Sequence, residues 1–213
     1  MDYCNACCPN GKGLKLINLS KVEKSARRTV PMFAVCCMAL LAIPAWAQQT
    51  LLPAQSSITF VSKQMGVPVE GQFKKMNAQI NFNPAKPEAA SIALQIDLAS
   101  ATLGIPETDA ELSKPDWFNT PKFPQATFQS GVVKKLTTDK WEVAGKLTIK
   151  GQTQNVLVPV TLSQAGATTT ATGAFVIPRL AFKIGENAWA DTSMVANEVQ
   201  VKFKLALTGV GKL

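Results

Sequence analysis

The chain has 213 residues, with 22 lysines and arginines against 14 acidic residues, a formal charge of +8, five cysteines and no histidine. Without histidine there is no usual general base for a serine triad, and the commonest metal ligand is missing. Beyond residue 47 the basic residues are dispersed, with Lys74–Lys75 and Lys134–Lys135 the only adjacent pairs, so the concentrated stripe that nucleic acid requires is absent.

In chain order, Arg27 and Arg28 precede an apolar run from Val30 to Ile43 that closes on Ala45, Trp46 and Ala47. This reads as a secretory signal with a small-x-small site, cut after Ala47. The run is short for a membrane span, and polar Gln48, Gln49 and Thr50 follow it. Ala26 before the arginines and Thr29 to Pro31 after them fit general secretion better than twin-arginine export. Cys4, Cys7, Cys8, Cys36 and Cys37 all precede the cut, so the mature chain is expected to carry no disulfide, thiol nucleophile or cysteine metal site. Residues 1–47 are thus an extension plus signal, and residues 48–213 are one domain. Loss of six basic and two acidic residues with the leader brings the formal charge to about +4. A domain of this size buries about two-thirds of its unfolded surface.

Period-2 alternation of apolar and polar residues predicts eight strands, at 57–63, 70–82, 91–102, 126–136, 141–150, 155–164, 168–184 and 198–207. In the last, Val199, Val201, Phe203, Leu205 and Leu207 share one face, with Gln200, Lys202 and Lys204 opposite. Gly66, residues 83–87, Gly151 and Gly166 fall where turns are needed. Gly71 and Gly145 lie within strand patterns, where a bulge or tight bend is expected, and Pro178 is expected to bend strand 168–184. Between strands, Pro106 to Leu112 reads as a short helix, with Thr108 as cap and Glu111 completing a capping box. Pro115, Pro121 and Pro124 around Trp117, Phe118 and Phe123 then make a stiff aromatic loop suited to covering an open end. The fold class is all-β, an eight-stranded antiparallel barrel with a short helical excursion, whose interior holds side chains or one small ligand.

The parts for catalysis are missing. Ser62 and Lys63 point to opposite faces of a strand, and Ser113 and Lys114 sit in a loop. Glu107, Asp109, Glu111 and Asp116 read as capping and solvating the helical turn rather than as a glycosidase pair. No phosphate loop or haem motif is present. The chain is therefore expected not to be an enzyme. Asp97 is expected to point outward, solvated or bonding a turn. Arg179, in a stretch poor in charge, either meets a ligand head group or bonds strand-end carbonyls. Phe60, Phe73, Phe82, Phe128, Trp141, Phe175 and Phe203 fall on the apolar phase of their strands, which suits a packed core and a lipid channel equally.

Residues 121–130 (PKFPQATFQS) and 145–153 (GKLTIKGQT) resemble the two most recognisable stretches of the YceI-like family, secreted polyisoprenoid-binding proteins with a lipocalin-like barrel. Val69 to Phe73, Ile80 to Pro84, Ile96 with Asp97, Ser113 to Asn119, and Arg179, Phe182, Ile184 and Gly185 extend the similarity across the mature chain in the family's order. The resemblance implies a lipocalin-like barrel with an interior tunnel for a long isoprenoid chain, such as that of a quinone, and no defined catalytic residues. The expectation is a periplasmic carrier sequestering a polyisoprenoid lipid, an isoprenoid quinone being favoured. Its candidate ligand-binding residues are Phe60, Phe73, Ile80, Phe82, Ile96, Phe128, Trp141, Phe203 and Arg179. No metal, no cofactor beyond the bound lipid and no nucleic acid are expected, while transient membrane contact and a homodimer are. The alternative is a non-catalytic interaction module with a dry core, assisting a membrane electron-transfer or stress-response partner.

Overall fold

Strands that alternate apolar and polar side chains have one face to bury, and in the computed structural model, which describes residues 49–213, the sheet curls around that face. The leader and the cut after Ala47 lie outside the described residues. One antiparallel sheet contains β1 (Thr50–Leu51), β2 (Ser57–Gln64), β3 (Val67–Phe73), β4 (Met76–Asn81), β5 (Ser91–Asp97), β6 (Ala101–Thr102), β7 (Gln125–Lys135), β8 (Lys140–Ile149), β9 (Gln152–Ala165), β10 (Thr168–Pro178) and β11 (Glu198–Thr208). Their order is β4-β5-β7-β8-β9-β10-β11-β2-β3-β6, with β1 also on β11. The only α-helix among the described residues is α1 (Pro106–Leu112), between β6 and β7.

The last strand shows why the pattern folds this way. β11 lies between β10 and β2, paired with β10 from Thr168↔Thr208 to Pro178↔Glu198 and with β2 through Val201↔Phe60 and Phe203↔Ile58. Val199, Leu205 and Leu207 are buried, and Gln200, Lys202 and Lys204 are exposed. Half-buried antiparallel strands produce this alternation.

Among the described residues eleven strand segments replace the eight expected: two expected strands each split in two, β1 is additional, and a third expected strand ends early. The expected strand 70–82 is β3 and β4, interrupted at Lys74 and Lys75. β3 pairs with β2 and β6, whereas β4 pairs with β5 at the other end of the sheet order. The side-chain phase survives while the neighbours change, so this stretch carries the chain from one end of the sheet to the other. Lys74 N donates to Ser100 O (3.2 Å), Lys75 N to Ser100 Oγ (3.0 Å) and Asp97 N to Lys75 O (3.1 Å), holding the break. The expected strand 91–102 is interrupted by a 3-10 turn at Leu98–Ser100, which Asp97 caps by accepting from Ala99 N at 3.0 Å. The expected strand 168–184 stops at Pro178, where Arg179–Phe182 wind into a 3-10 turn ending at left-handed Lys183.

At the opposite edge, Gln49 ties the β1 end to the segment after β4. Its side-chain Nε2 donates to Phe82 O at 2.6 Å, and its Oε1 accepts from Phe82 N at 2.8 Å. Strand β1 escaped the sequence reading because two residues show no period.

Gly71 and Gly145 keep regular register; the irregularity lies on β7, between Ser130 and Val133. These glycines instead seat aromatic rings: Phe60 lies over Gly71 and Phe128 over Gly145, and Phe203 over Gly173 repeats the arrangement. A Cβ at any of the three would strike the ring. Gly145→Ala is expected to cost about 1–3 kcal/mol by forcing the Phe128 ring and Gln129 carbonyl aside. Thermal denaturation measures it, and an unchanged midpoint would remove the seating role.

Helix α1 begins with Pro106 in its first turn, and its N-cap residue Ile105 makes no side-chain cap bond. The expected capping box is therefore absent: Thr108 is already helical, and Glu111 pairs with Lys114 at 2.6 Å.

Candidate functional site

The inner faces of the strands enclose a cavity of about 300 Å³. Phe60, Phe73, Ile80, Phe82, Ile96, Phe128, Trp141, Phe203 and Arg179 all line it, so the structure brings every sequence-predicted site residue to one place. Tilted aromatic contacts form much of the wall, with centroids 5.4 Å apart for Phe60–Phe73 and 6.0 Å for Phe73–Phe118. One end is walled by Trp141, 2% exposed, which meets Phe82 edge-to-face at 5.1 Å.

The lining is not uniform along its length. Ile58, Phe60, Ser62 and Gln64 all line the cavity from β2, changing from apolar to polar toward the β2–β3 turn. Thr108 and Glu111 join from α1, and Trp117 and Trp189 pack together there at 5.4 Å. Polar side chains thus gather at one end, the mouth.

Two buried cations fix the segments around this mouth. Arg179, 2% exposed, donates from Nε to Ala196 O (3.1 Å), from Nη1 to Ile184 O (2.8 Å) and Gly185 O (2.9 Å), and from Nη2 to Trp189 O and Val195 O (both 2.7 Å). A guanidinium has five N–H donors, and carbonyls take all of them. Arg179 therefore bonds backbone, and no donor remains for a ligand head group. Burial pushes its pKa below the usual arginine value. Gly185, at φ +75, leaves the space that the guanidinium fills.

Lys150 is 5% exposed and left-handed at φ +49, in the β8–β9 turn with Gly151. Its Nζ donates to Pro115 O and Lys183 O, each at 2.6 Å, and to the Glu186 carboxylate at 2.8 Å. One ammonium so joins the aromatic loop, the segment after β10 and the β8–β9 turn. Sequence reasoning missed Lys150, and missed Trp117 and Trp189 as lining residues. A Lys-Gly pair signals only a turn, and the tryptophans sit in segments without period.

Three of the acidic residues around α1, Asp109, Glu111 and Asp116, are engaged one by one. Asp109 accepts from Thr102 Oγ1 (2.5 Å) and Leu103 N (2.6 Å), tying α1 to β6. Asp116 accepts from Asn187 Nδ2 at 2.6 Å, and Glu111 is paired with Lys114. The Thr102 hydroxyl first, then the Leu103 amide, hold the Asp109 pKa below the usual carboxylate value. A depressed folded-state pKa gives stability that is present above the unfolded value and is lost as pH falls through the folded one. Asp109→Asn is expected to lower stability at neutral pH and to flatten its acid dependence. Denaturant titrations between pH 3 and 7 test this, and parallel curves would refute it.

Among the described residues two buried side-chain polar atoms, Trp117 Nε1 and Trp141 Nε1, have no hydrogen-bond partner. A buried unsatisfied N–H costs about 1–3 kcal/mol. The two indoles stand toward opposite ends of the cavity.

A model of the YceI-like domain matches residues 49–207. The chain belongs to the YceI-like domain family. Among relatives, a UPF0312 protein of Pseudomonas savastanoi is 32% identical over 98 residues, covering 46% of this chain and 51% of that protein. A UPF0312 protein of Vibrio cholerae is 29% identical over 114 residues, or 53% of this chain and 60% of its own. The chain thus spans about half the length of the curated relatives it matches. In solved structures, BcnA of Burkholderia cenocepacia superposes with a TM-score of 0.71 at 47% identity, covering 73% of this chain and 98% of BcnA. A polyisoprenoid-binding domain from Saccharophagus degradans shares the fold at 16% identity, with TM-score 0.63 over 76% of this chain and 98% of its own. The YceI-like fold is an all-β curled sheet of the lipocalin-like barrel class, which bears out the expected class and corrects the strand count.

Proposed function

We propose that this YceI-like protein is a periplasmic carrier that sequesters a polyisoprenoid lipid, an isoprenoid quinone in particular, inside its sheet. The observation that carries this reading is the apolar cavity whose polar side chains gather at one end. A long hydrocarbon tail with a small polar head has the same asymmetry. The Saccharophagus degradans relative in fold, described as polyisoprenoid-binding, supports the same ligand class. At about 0.8 kcal/mol per buried methylene, even part of such a tail offsets the ordinary cost of association. The head group then lies at the mouth beneath α1, where a carbonyl oxygen would satisfy the Trp117 indole N–H.

The test is to express the full chain in a bacterial host and purify it from the periplasm without detergent. Native mass spectra and organic extraction follow. A stoichiometric mass increment that extracts as an isoprenoid or quinone is expected. A bare folded protein that refuses added quinone would overturn the carrier reading and favour the interaction module.

A further inference from the structure

Eight large apolar side chains are exposed among the described residues, and four of them, from three segments, lie at the mouth. Met65 (72% exposed) and Val67 (62%) flank Gly66 in the β2–β3 turn, Ile105 (55%) leads into α1, and Met194 (44%) precedes Val195. The turn is tight, with positive φ at both Met65 and Gly66. Met65 N donates to Met194 O at 2.8 Å, and Gln64 bridges Val195, so two segments distant in sequence form one rim. Gln64 and Val195 line the cavity, as does Thr108 three residues after Ile105. The exposed apolar surface is therefore continuous with the cavity wall.

We propose that this rim is a membrane-docking surface, on which Met65, Val67, Ile105 and Met194 enter the interfacial layer of a bilayer and hold the mouth against it. The inference rests on the carrier reading and adds the route by which cargo arrives. A water-insoluble tail passes from bilayer to cavity without crossing water only if the mouth rests on the bilayer. Methionine and branched aliphatic side chains are suited to shallow insertion. Residues 49–213 carry 16 basic against 12 acidic side chains, so net charge favours an anionic lipid surface.

The test uses the purified protein, its Met65→Glu/Met194→Glu variant, and Leu157→Glu, which alters an exposed apolar residue on β9. Three measurements are made: flotation with phosphatidylcholine/phosphatidylglycerol vesicles, transfer of an isoprenoid quinone between vesicle populations, and uptake of a short-chain quinone from water. The rim variant is expected to lose vesicle binding and quinone transfer by about tenfold or more while keeping uptake from water, with Leu157→Glu unchanged. Both side chains point to solvent, and Met65→Ser/Met194→Ser should give a smaller loss in the same direction if the double glutamate fails to fold. Equal flotation and transfer for rim variant and wild type would overturn the docking surface, as would equal losses in Leu157→Glu. Vesicle binding that depends on the rim, without quinone uptake by any form, would uphold docking and sink the carrier reading.

Discussion

Replacing Arg179 with lysine is expected to lower the melting temperature by about 10 °C. The wild-type guanidinium satisfies five backbone carbonyls drawn from residues 184–196, three of them in buried bonds and two in partly buried ones. Lysine brings three donors from a single point in place of a planar fork, leaving at least two carbonyls unbonded and a buried charge poorly solvated. Breaking a buried charged network of this kind costs about 3–5 kcal/mol, and each kcal/mol is worth about 2–4 °C in a domain of this size. Scanning calorimetry gives the shift. Limited proteolysis should show new cleavage between residues 179 and 197, and a shift under about 2 °C would mean that the carbonyl cage contributes little to folding.

Ile96→Glu should abolish lipid co-purification, with affinity for an isoprenoid quinone reduced at least about a hundredfold. Ile96 lies on β5 opposite Ala126 and Met76, with its side chain on the cavity. A carboxylate there must be solvated, and the water it draws in competes for the space that a tail would fill. Far-UV circular dichroism should retain the strand signal, because backbone pairing of β5 with β4 and β7 does not depend on the side chain. Unchanged lipid content in a folded variant would place the cargo outside the cavity.

Much of the wall was legible because burying one face writes a period into the sequence. Phe60, Phe82, Phe128 and Phe203 could be assigned inward from alternation alone, and the structure brings them together. The same signal misled where another conformation mimics it. Leu180, Phe182 and Ile184 keep a spacing of two, yet they belong to a 3-10 turn and the segment after it. The break at Lys74 and Lys75 was invisible because the alternation continues while the pairing partners change. The role of Lys150 could not be read at all, and that of Arg179 only as one of two alternatives, since both depend on carbonyls brought together from loops without a pattern. Trp189 belongs to the same blind class.

The place of β11 has a consequence for when the protein can fold. It is the last strand in chain order among the described residues, yet it lies between β10 and β2, and Ala206 N donates to Ser56 Oγ across 150 residues of chain. The hairpins from β7 to β10 form between sequence neighbours, but β1 and β2 join that run only through residues 198–208. Closing so large a loop is slow. The interior is therefore closed by a long-range pairing and not by the local hairpins.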